Sequence, residues 1–376
     1  MHRGRPGSAS GVAGGSRPAR SRPADQAERK LRPGVTRMFA SVVAGATPLV
    51  TRELKRLPGV QVTEVGFDGR ADLILFEVDR GCRESLSQLR TIEALFVEVG
   101  RTTRASGDRP NLIAQRVWRP EQVEKALSAW SQAVRPLAGT MTYRVTARVR
   151  QERSFRRTDL RDGLSRSISL GKPRWKAADP AQLEAWIGEY RPGHLVAGLR
   201  LSDGTAQRRD GRAAERPGAL PPTVGAMMVG LAGPPRRNLL DPCCGSGTIL
   251  SEALAAGWST VRGIDIDPDA VAAAARNAPA ATVWRGDARE LTLPAGSVAA
   301  VVSDLSSARQ HGAPDDPATW LAEVLAEMER ITRPGGRVVL LAPEIPGAAI
   351  PERLKITAQR PLRLGGTTTT LWAFDR

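Results

Sequence analysis

The chain has 376 residues, 41% of them hydrophobic, enough for two or three domains with true cores, and no apolar run of membrane-spanning length. Its 55 Lys and Arg against 39 Asp and Glu leave a formal charge of +16, which points to a polyanionic partner, most often nucleic acid. Three cysteines and three scattered histidines supply neither a disulfide framework nor a metal site, so no metal is expected and a reducing cytoplasm fits; no apolar secretory signal opens the chain.

Residues 1–36 consist largely of Arg, Pro, Gly, Ala and Ser and predict a disordered basic tail. Order begins at Met38–Val43, a strand, followed by a helix over Pro48–Leu57 with Leu49, Val50, Leu54 and Leu57 on one face. Val60–Val65 and Ala71–Val78 read as strands around a turn at Phe67–Arg70. Ser85–Ala94 reads as helical and Leu95–Val99 as extended. This alternation predicts a small α+β domain over residues 37–118, with no catalytic constellation in it.

A second segment, 119–212, opens with a helix over Pro120–Val134 carrying an apolar stripe of Val123, Leu127 and Trp130. Thr142–Arg150 then alternates at period two, with Arg144, Arg148 and Arg150 on its polar face. Arg153, Arg156, Arg157, Lys172, Arg174 and Lys176 follow, with few acidic residues between them. Cations spread over a strand, a helix and a loop suit a phosphate-binding face for RNA. A generally arginine-rich surface is the alternative.

From residue 213 onward strands and helices alternate, which predicts a mostly parallel sheet covered on both faces. The alternation starts with an apolar helix over Leu220–Leu231 and closes with an antiparallel pair at Leu354–Ala358 and Thr367–Phe374. Its first strand ends in Asp241-Pro-Cys-Cys-Gly-Ser-Gly-Thr-Ile249. The Gly-Lys-Ser/Thr ending of a phosphate loop is absent, and so is Gly-x-Gly-x-x-Gly. An acidic strand end followed by Gly-x-Gly is instead the pattern of S-adenosylmethionine sites, where a carboxylate meets a cationic amino acid end. Asp241, Cys243, Gly245, Ser246, Gly247 and Thr248 are the candidates on this turn.

Asp265, at the second strand end, is placed to accept both ribose hydroxyls, and Ile266 beside it is a further cofactor-site candidate. Asp287, after the third strand, is placed to accept from the adenine amino group, and Ala288 next to it is a cofactor-site candidate with it. Asp267, a competitor of Asp265, reads better as a helix N-cap before Pro268.

These patterns resemble a known family. Phe155-Arg-Arg157, Asp179-Pro180, Gln207–Arg212 and Arg216-Pro-Gly-Ala-Leu-Pro-Pro222 look like a THUMP domain running into its methyltransferase, and Leu89-Arg-Thr-Ile-Glu93 resembles the signature of that family's ferredoxin-like domain. The resemblance covers residues 38–376. It implies a ferredoxin-like domain (37–118), a THUMP RNA-binding domain (119–212) and a seven-stranded, Rossmann-like class I methyltransferase domain (213–376). It also implies transfer of a methyl group to an exocyclic base amine, guanine N2 of tRNA first and ribosomal RNA second.

Enzymes of that kind place Asn/Asp-Pro-Pro-aromatic or Asp-Leu-Pro-Phe after the fourth strand. Side-chain and backbone oxygens accept the amine N–H groups, and the aromatic ring stacks the extruded base. Here the residues are Asp304, Leu305, Ser306 and Ser307. The acceptor and the carbonyl are kept, while the fixed φ of proline and the stacking ring are gone. Arg309, His311 and Trp320 are the downstream residues with a flat group to offer. An RNA-binding protein that holds S-adenosylmethionine without turnover is the rival expectation, and a small-molecule methyltransferase the third.

Overall fold

The computed structural model describes residues 34–103, 109–150, 155–201, 216, 218–235, 238–306 and 316–376. The amino-terminal tail, Arg153, Gln207–Arg212, Ser307, Arg309 and His311 lie outside these.

Strands β1 (Val35–Val43), β2 (Val60–Phe67), β3 (Ala71–Asp79) and β4 (Ala94–Thr102) are followed by β5 (Thr142–Arg148), β6 (Lys176–Ala177), β7 (Leu183–Arg191) and β8 (His194–Arg200). All eight form one sheet in the order β2-β3-β1-β4-β8-β7-β5-β6, antiparallel except where β5 pairs β6 and β7. The period of two sorts β1 cleanly: Met38, Ala40 and Val42 face one core and Phe39 the other. Phe39 stacks on Phe96 with ring centroids 4.6 Å apart, and both lean on Trp186.

Helix α1 (Thr47–Leu54) follows β1. Its N-cap, Ala46, has no capping side chain; Asp72 of β3 accepts from the amides of Gly45 and Thr47 and from the Thr47 hydroxyl instead. Helices α2 (Pro110–Val117), α3 (Pro120–Ala133) and α4 (Arg157–Gly171) cover β4, β5, β7 and β8, burying Val123, Leu127 and Trp130 from the α3 stripe. The boundary expected at 118–119 falls between α2 and α3, over this continuous sheet.

The segment read as a helix over Ser85–Ala94 is different. Arg80–Gln88 forms 3₁₀ turns, and β4 already begins at Ala94. The chain leaves these turns at Leu89, an extended residue whose amide donates to the Leu86 carbonyl at 3.2 Å, and both leucines are buried.

The second sheet contains β9 (Asn238–Asp241), β10 (Thr260–Asp265), β11 (Thr282–Arg285), β12 (Val298–Asp304), β13 (Thr332–Ala342), β14 (Lys355–Leu364) and β15 (Thr367–Asp375). Its order is β11-β10-β9-β12-β13-β15-β14, parallel through β13 with β15 and β14 antiparallel, the expected seven-stranded Rossmann-like sheet. Helices α5 (Pro222–Leu231), α6 (Thr248–Ala255), α7 (Pro268–Asn277) and α8 (Pro317–Ile331) accompany it. The order reverses at β9–β12, so the crevice beyond those strand ends is where an open α/β sheet receives its ligand.

The two sheets share a core. One apolar cluster runs from Met38, Val42 and Phe76 through Leu86, Leu89 and Ile92 to Val224, Met228, Ile249 and Leu250. At its edge the Arg363 amide donates to the Ala44 carbonyl at 3.0 Å. Among the described residues no helix is long and apolar enough to cross a membrane.

Candidate active site

A pocket of about 210 Å³ opens over the carboxyl ends of β9, β10 and β12 and the chain after β11. Its wall includes every donor-site residue expected from sequence except Gly247: Asp241, Cys243, Gly245, Ser246, Thr248, Asp265, Ile266, Asp287 and Ala288. Asp304 lines it as well.

The glycine turn shows why glycine is needed. Gly245 and Gly247 both have positive φ, +52° and +80°. A Cβ on Gly247 would stand 3.0 Å from the Ala274 Cα of α7, so the residue combines a left-handed backbone with a close helix approach. Gly247 is also the N-cap of α6 and offers no side chain. Helix-start amides left without a side-chain cap suit an anionic partner.

Asp241 is 1% exposed and accepts from the Ser303 hydroxyl at 2.7 Å and the Cys243 amide at 3.2 Å. Burial pushes its carboxyl up to about 8, the Ser303 and Cys243 bonds resist this, and the neighbouring Asp265 and Asp304 add to it. A buried carboxylate with two acidic neighbours favours a bound cation. Burial raises the Cys243 and Cys244 thiols too, so neither behaves as a reactive thiolate.

Asp265 accepts from the Gly245 amide at 2.8 Å and the Asp267 amide at 3.0 Å, tying the glycine turn to β10. Asp267 is the N-cap of α7, accepting from the Asp269 amide at 2.9 Å and pairing with Arg216. Those contacts, the Asp269 amide first, hold its carboxyl below the usual range. Next to it Ile266 is 54% exposed, an apolar side chain left open on a pocket wall.

Asp287 is forked by Arg289, whose Nη2 lies 2.7 Å from Oδ2, and this pair lowers the Asp287 carboxyl. Two residues of the site carry no distinct signal in the sequence: Arg289, on the pocket wall, and Ser303, buried behind it and bonded to Asp241. Arg289 follows Asp287 by two residues and signals itself only as another arginine. Ser303 reaches Asp241 because β12 pairs with β9 in parallel, Val301 beside Leu240.

At the acceptor end, Asp304 Oδ1 receives both the amide (2.9 Å) and the hydroxyl (2.5 Å) of Ser306. Among the described residues nothing donates to Oδ2. Burial raises the Asp304 carboxyl and the Ser306 bonds oppose it. Leu305 is buried, and its amide donates to the Leu341 carbonyl at 2.9 Å. The amide of Ser306 is a donor that proline at this position lacks.

The nominated basic residues divide. Arg144, though exposed, is held by Glu184 at 2.6 Å and Asp179 at 3.4 Å; Arg148 pairs with buried Asp68 at 3.4 Å; Lys172 pairs with Glu124 at 2.7 Å. Arg150, Arg156, Arg157, Arg174 and Lys176 are exposed, and their side chains form no ion pair among the described residues, although the Arg150 and Arg156 amides donate to Glu189 and Asp159. Arg156 and Arg157 open α4, a 15-residue helix and hence about 22 Å long, and Arg174 and Lys176 follow its other end, while Arg150 follows β5 and lies over the Phe67 ring.

The open apolar wall, the uncapped helix start and the acidic strand ends, with Asp241 buried and Asp265 and Asp304 half-buried, fit S-adenosylmethionine, with its adenine, amino acid and cationic ends. The fold and this site define the second unit as a class I methyltransferase domain whose methyl donor is S-adenosylmethionine. Residues 239–336 match the family described as "Methyltransferase domain". The chain is 36% identical over 114 residues to the U6 snRNA (guanine-N(2))-methyltransferase THUMPD2 of Bos taurus, a match covering 28% of this chain and 22% of the relative. The chain thus spans about a fifth of the length of that relative.

TrmN from Thermus thermophilus has the same fold over 91% of this chain and 99% of its own, with a TM-score of 0.71 at 22% identity. A predicted N6-adenine-specific DNA methylase from Listeria monocytogenes follows it over 90% and 96%, with a TM-score of 0.63 at 16% identity.

Proposed function

We propose that this protein is an RNA methyltransferase acting on an exocyclic base amine, with guanine N2 of tRNA as the first substrate to test. The observation that carries this reading is Asp304: a half-buried carboxylate on the wall of the donor pocket, one oxygen occupied by Ser306 and the other without a donor among the described residues. An amine whose lone pair is delocalised into a purine needs such an acceptor on its N–H groups. Ser306 fixes the carboxylate's orientation through two hydrogen bonds, a task the proline of the related motif performs differently, by fixing the backbone.

S-adenosylmethionine, when bound, supplies a methyl group on a positively charged sulfur. Transfer breaks the sulfur–carbon bond, forms the nitrogen–carbon bond and leaves S-adenosylhomocysteine and a proton. Asp304, its carboxyl raised by burial, can take that proton. In the same reading Asp241 holds the amino acid end, Asp265 the ribose and Asp287 the adenine amine. The segments 37–118 and 119–212 are the proposed ferredoxin-like and THUMP domains, and Arg150, Arg156, Arg157, Arg174 and Lys176 the phosphate contacts they offer. The guanine-N2 activity in the name of the THUMPD2 relative supports the choice of base.

The test is transfer of labelled methyl groups to tRNA and to ribosomal RNA, followed by nucleoside mass spectrometry. N2-methylguanosine in tRNA is the expected product, and no methylated nucleoside in either RNA would defeat the proposal. Ser307 at the position of the stacking ring favours a second reading, in which the protein binds RNA and S-adenosylmethionine without turnover. That reading expects donor binding by calorimetry, no labelled product, and recovery of activity by Ser306→Pro with Ser307→Phe.

A further inference from the structure

We propose that Trp320 forms one wall of the slot for the donor's adenine ring, with Ile266 as the opposite wall. Trp320 is the only aromatic residue among the described residues that line the pocket. It stands in the first turn of α8, which Asp316 starts by accepting from the amides of Ala318 and Thr319.

One turn further, Glu323 reaches Arg289 at 3.8 Å, and Arg289 in turn forks Asp287. Residues three apart share a helix face, so the face carrying Trp320 is the one held over residues 287–289. The ring is half-buried and rests on the apolar cluster that contains Ala288, Leu291 and Leu321. Ile266, the residue after β10, stands open on the wall of the same pocket.

An apolar side chain and an indole facing a pocket otherwise rich in carboxylates make a place for a flat, uncharged ring. Asp287 stands at its edge. The assignment gives Trp320 to the methyl donor rather than to the target base, although it also shares the pocket with Asp304. It rests on the placement of adenine at Asp287, which a companion variant tests separately.

The experiment titrates the full-length protein with S-adenosylhomocysteine, which binds without turnover, and follows tryptophan fluorescence and calorimetry. The chain has eight tryptophans, so the signal of Trp320 is the difference between wild type and Trp320→Phe. Stacking of a base on an aromatic ring is worth about one to two orders of magnitude in affinity. Trp320→Ala and Trp320→Leu are expected to raise the Kd about 10- to 100-fold, and Trp320→Phe about threefold at most, with loss of the quench; the leucine variant covers failure of the alanine variant to fold.

Asp287→Ala is expected to weaken binding as well. Weaker binding by Asp287→Ala with an unchanged Kd for Trp320→Ala or Trp320→Leu overturns the assignment and leaves adenine at Asp287. An unchanged Kd in all three overturns both. An unchanged Kd with loss of RNA methylation alone would place the indole against the target base, and that too overturns it. Because the readout is donor binding, it stands apart from whether RNA is the acceptor.

Discussion

Asp241 joins function and stability at a single carboxyl group. Its folded-state value near 8 lies above the ordinary aspartate value of 3.8, so the native protein holds a proton that the unfolded chain releases between those limits. The associated stability is complete below pH 3.8 and is lost as pH rises towards about 8. Asp241→Asn removes that loss, and the apo protein is expected to melt at a higher temperature than wild type at pH 8.

Donor binding runs the opposite way, because the ionised carboxylate must meet the donor's ammonium. Affinity for S-adenosylhomocysteine is expected to rise about tenfold per pH unit below pH 8 and then level off. In Asp241→Asn it should be weak and flat across that range. Calorimetry between pH 6 and 8.5 checks both the slope and its loss.

The acceptor end has its own test at this scale. Asp304→Ala is expected to lower methyl transfer by about 100-fold or more while donor affinity stays within a few-fold, measured by initial rates and by calorimetry on the same preparation.

At the scale of elements, the turn between β9 and α6 carries the largest local constraint. Gly247→Ala would combine an unfavourable φ of +80° with a Cβ 3.0 Å from α7, at an expected cost of about 2 kcal/mol in stability. Chemical denaturation measures that cost, and donor affinity should fall with it because the α6 amides move.

Helix α4 offers a second test. If its two ends contact RNA phosphates, Arg156→Ala with Arg157→Ala and Arg174→Ala with Lys176→Ala should each lower the slope of log K against log salt by about 2. Arg144→Ala should change it little, since Glu184 and Asp179 already hold that side chain.

For the whole molecule, an ion pair and a shared core join the two units. Arg90 forks Glu252 on α6, at 2.7 Å and 3.1 Å, and the Glu252 side chain is 2% exposed. Removing one partner of a buried ion pair typically costs about 3 kcal/mol or more. Arg90→Ala is therefore expected to destabilise the protein by that order in denaturant unfolding. It should also weaken donor binding, because Glu252 lies one turn beyond Thr248 of the pocket wall.

The shared core makes the same point with apolar residues: Leu86, Leu89 and Ile92 belong to one cluster with Ile249 and Leu250 behind the glycine turn.

The sequence by itself determined the repeating strand–helix order of the second unit, the glycine turn at Gly245 and Gly247, and the carboxylates Asp241, Asp265, Asp287 and Asp304 at strand ends. These are local features: a period, a turn chemistry and a terminal residue can each be read within a few positions. Tertiary structure decided the rest. Strand register brought Ser303 to Asp241, sixty-two positions away. Pairing removed Arg144, Arg148 and Lys172 from the set of open cations, because their carboxylates come from other elements.

The fold of α8 carried Trp320 into the pocket, while the motif position that usually bears the ring holds Ser307. Hydrophobic pattern and turn chemistry act along the chain and leave a trace in composition. Which charges meet, and which ring faces a cavity, depends on partners distant in sequence, whose choice only the packed chain makes.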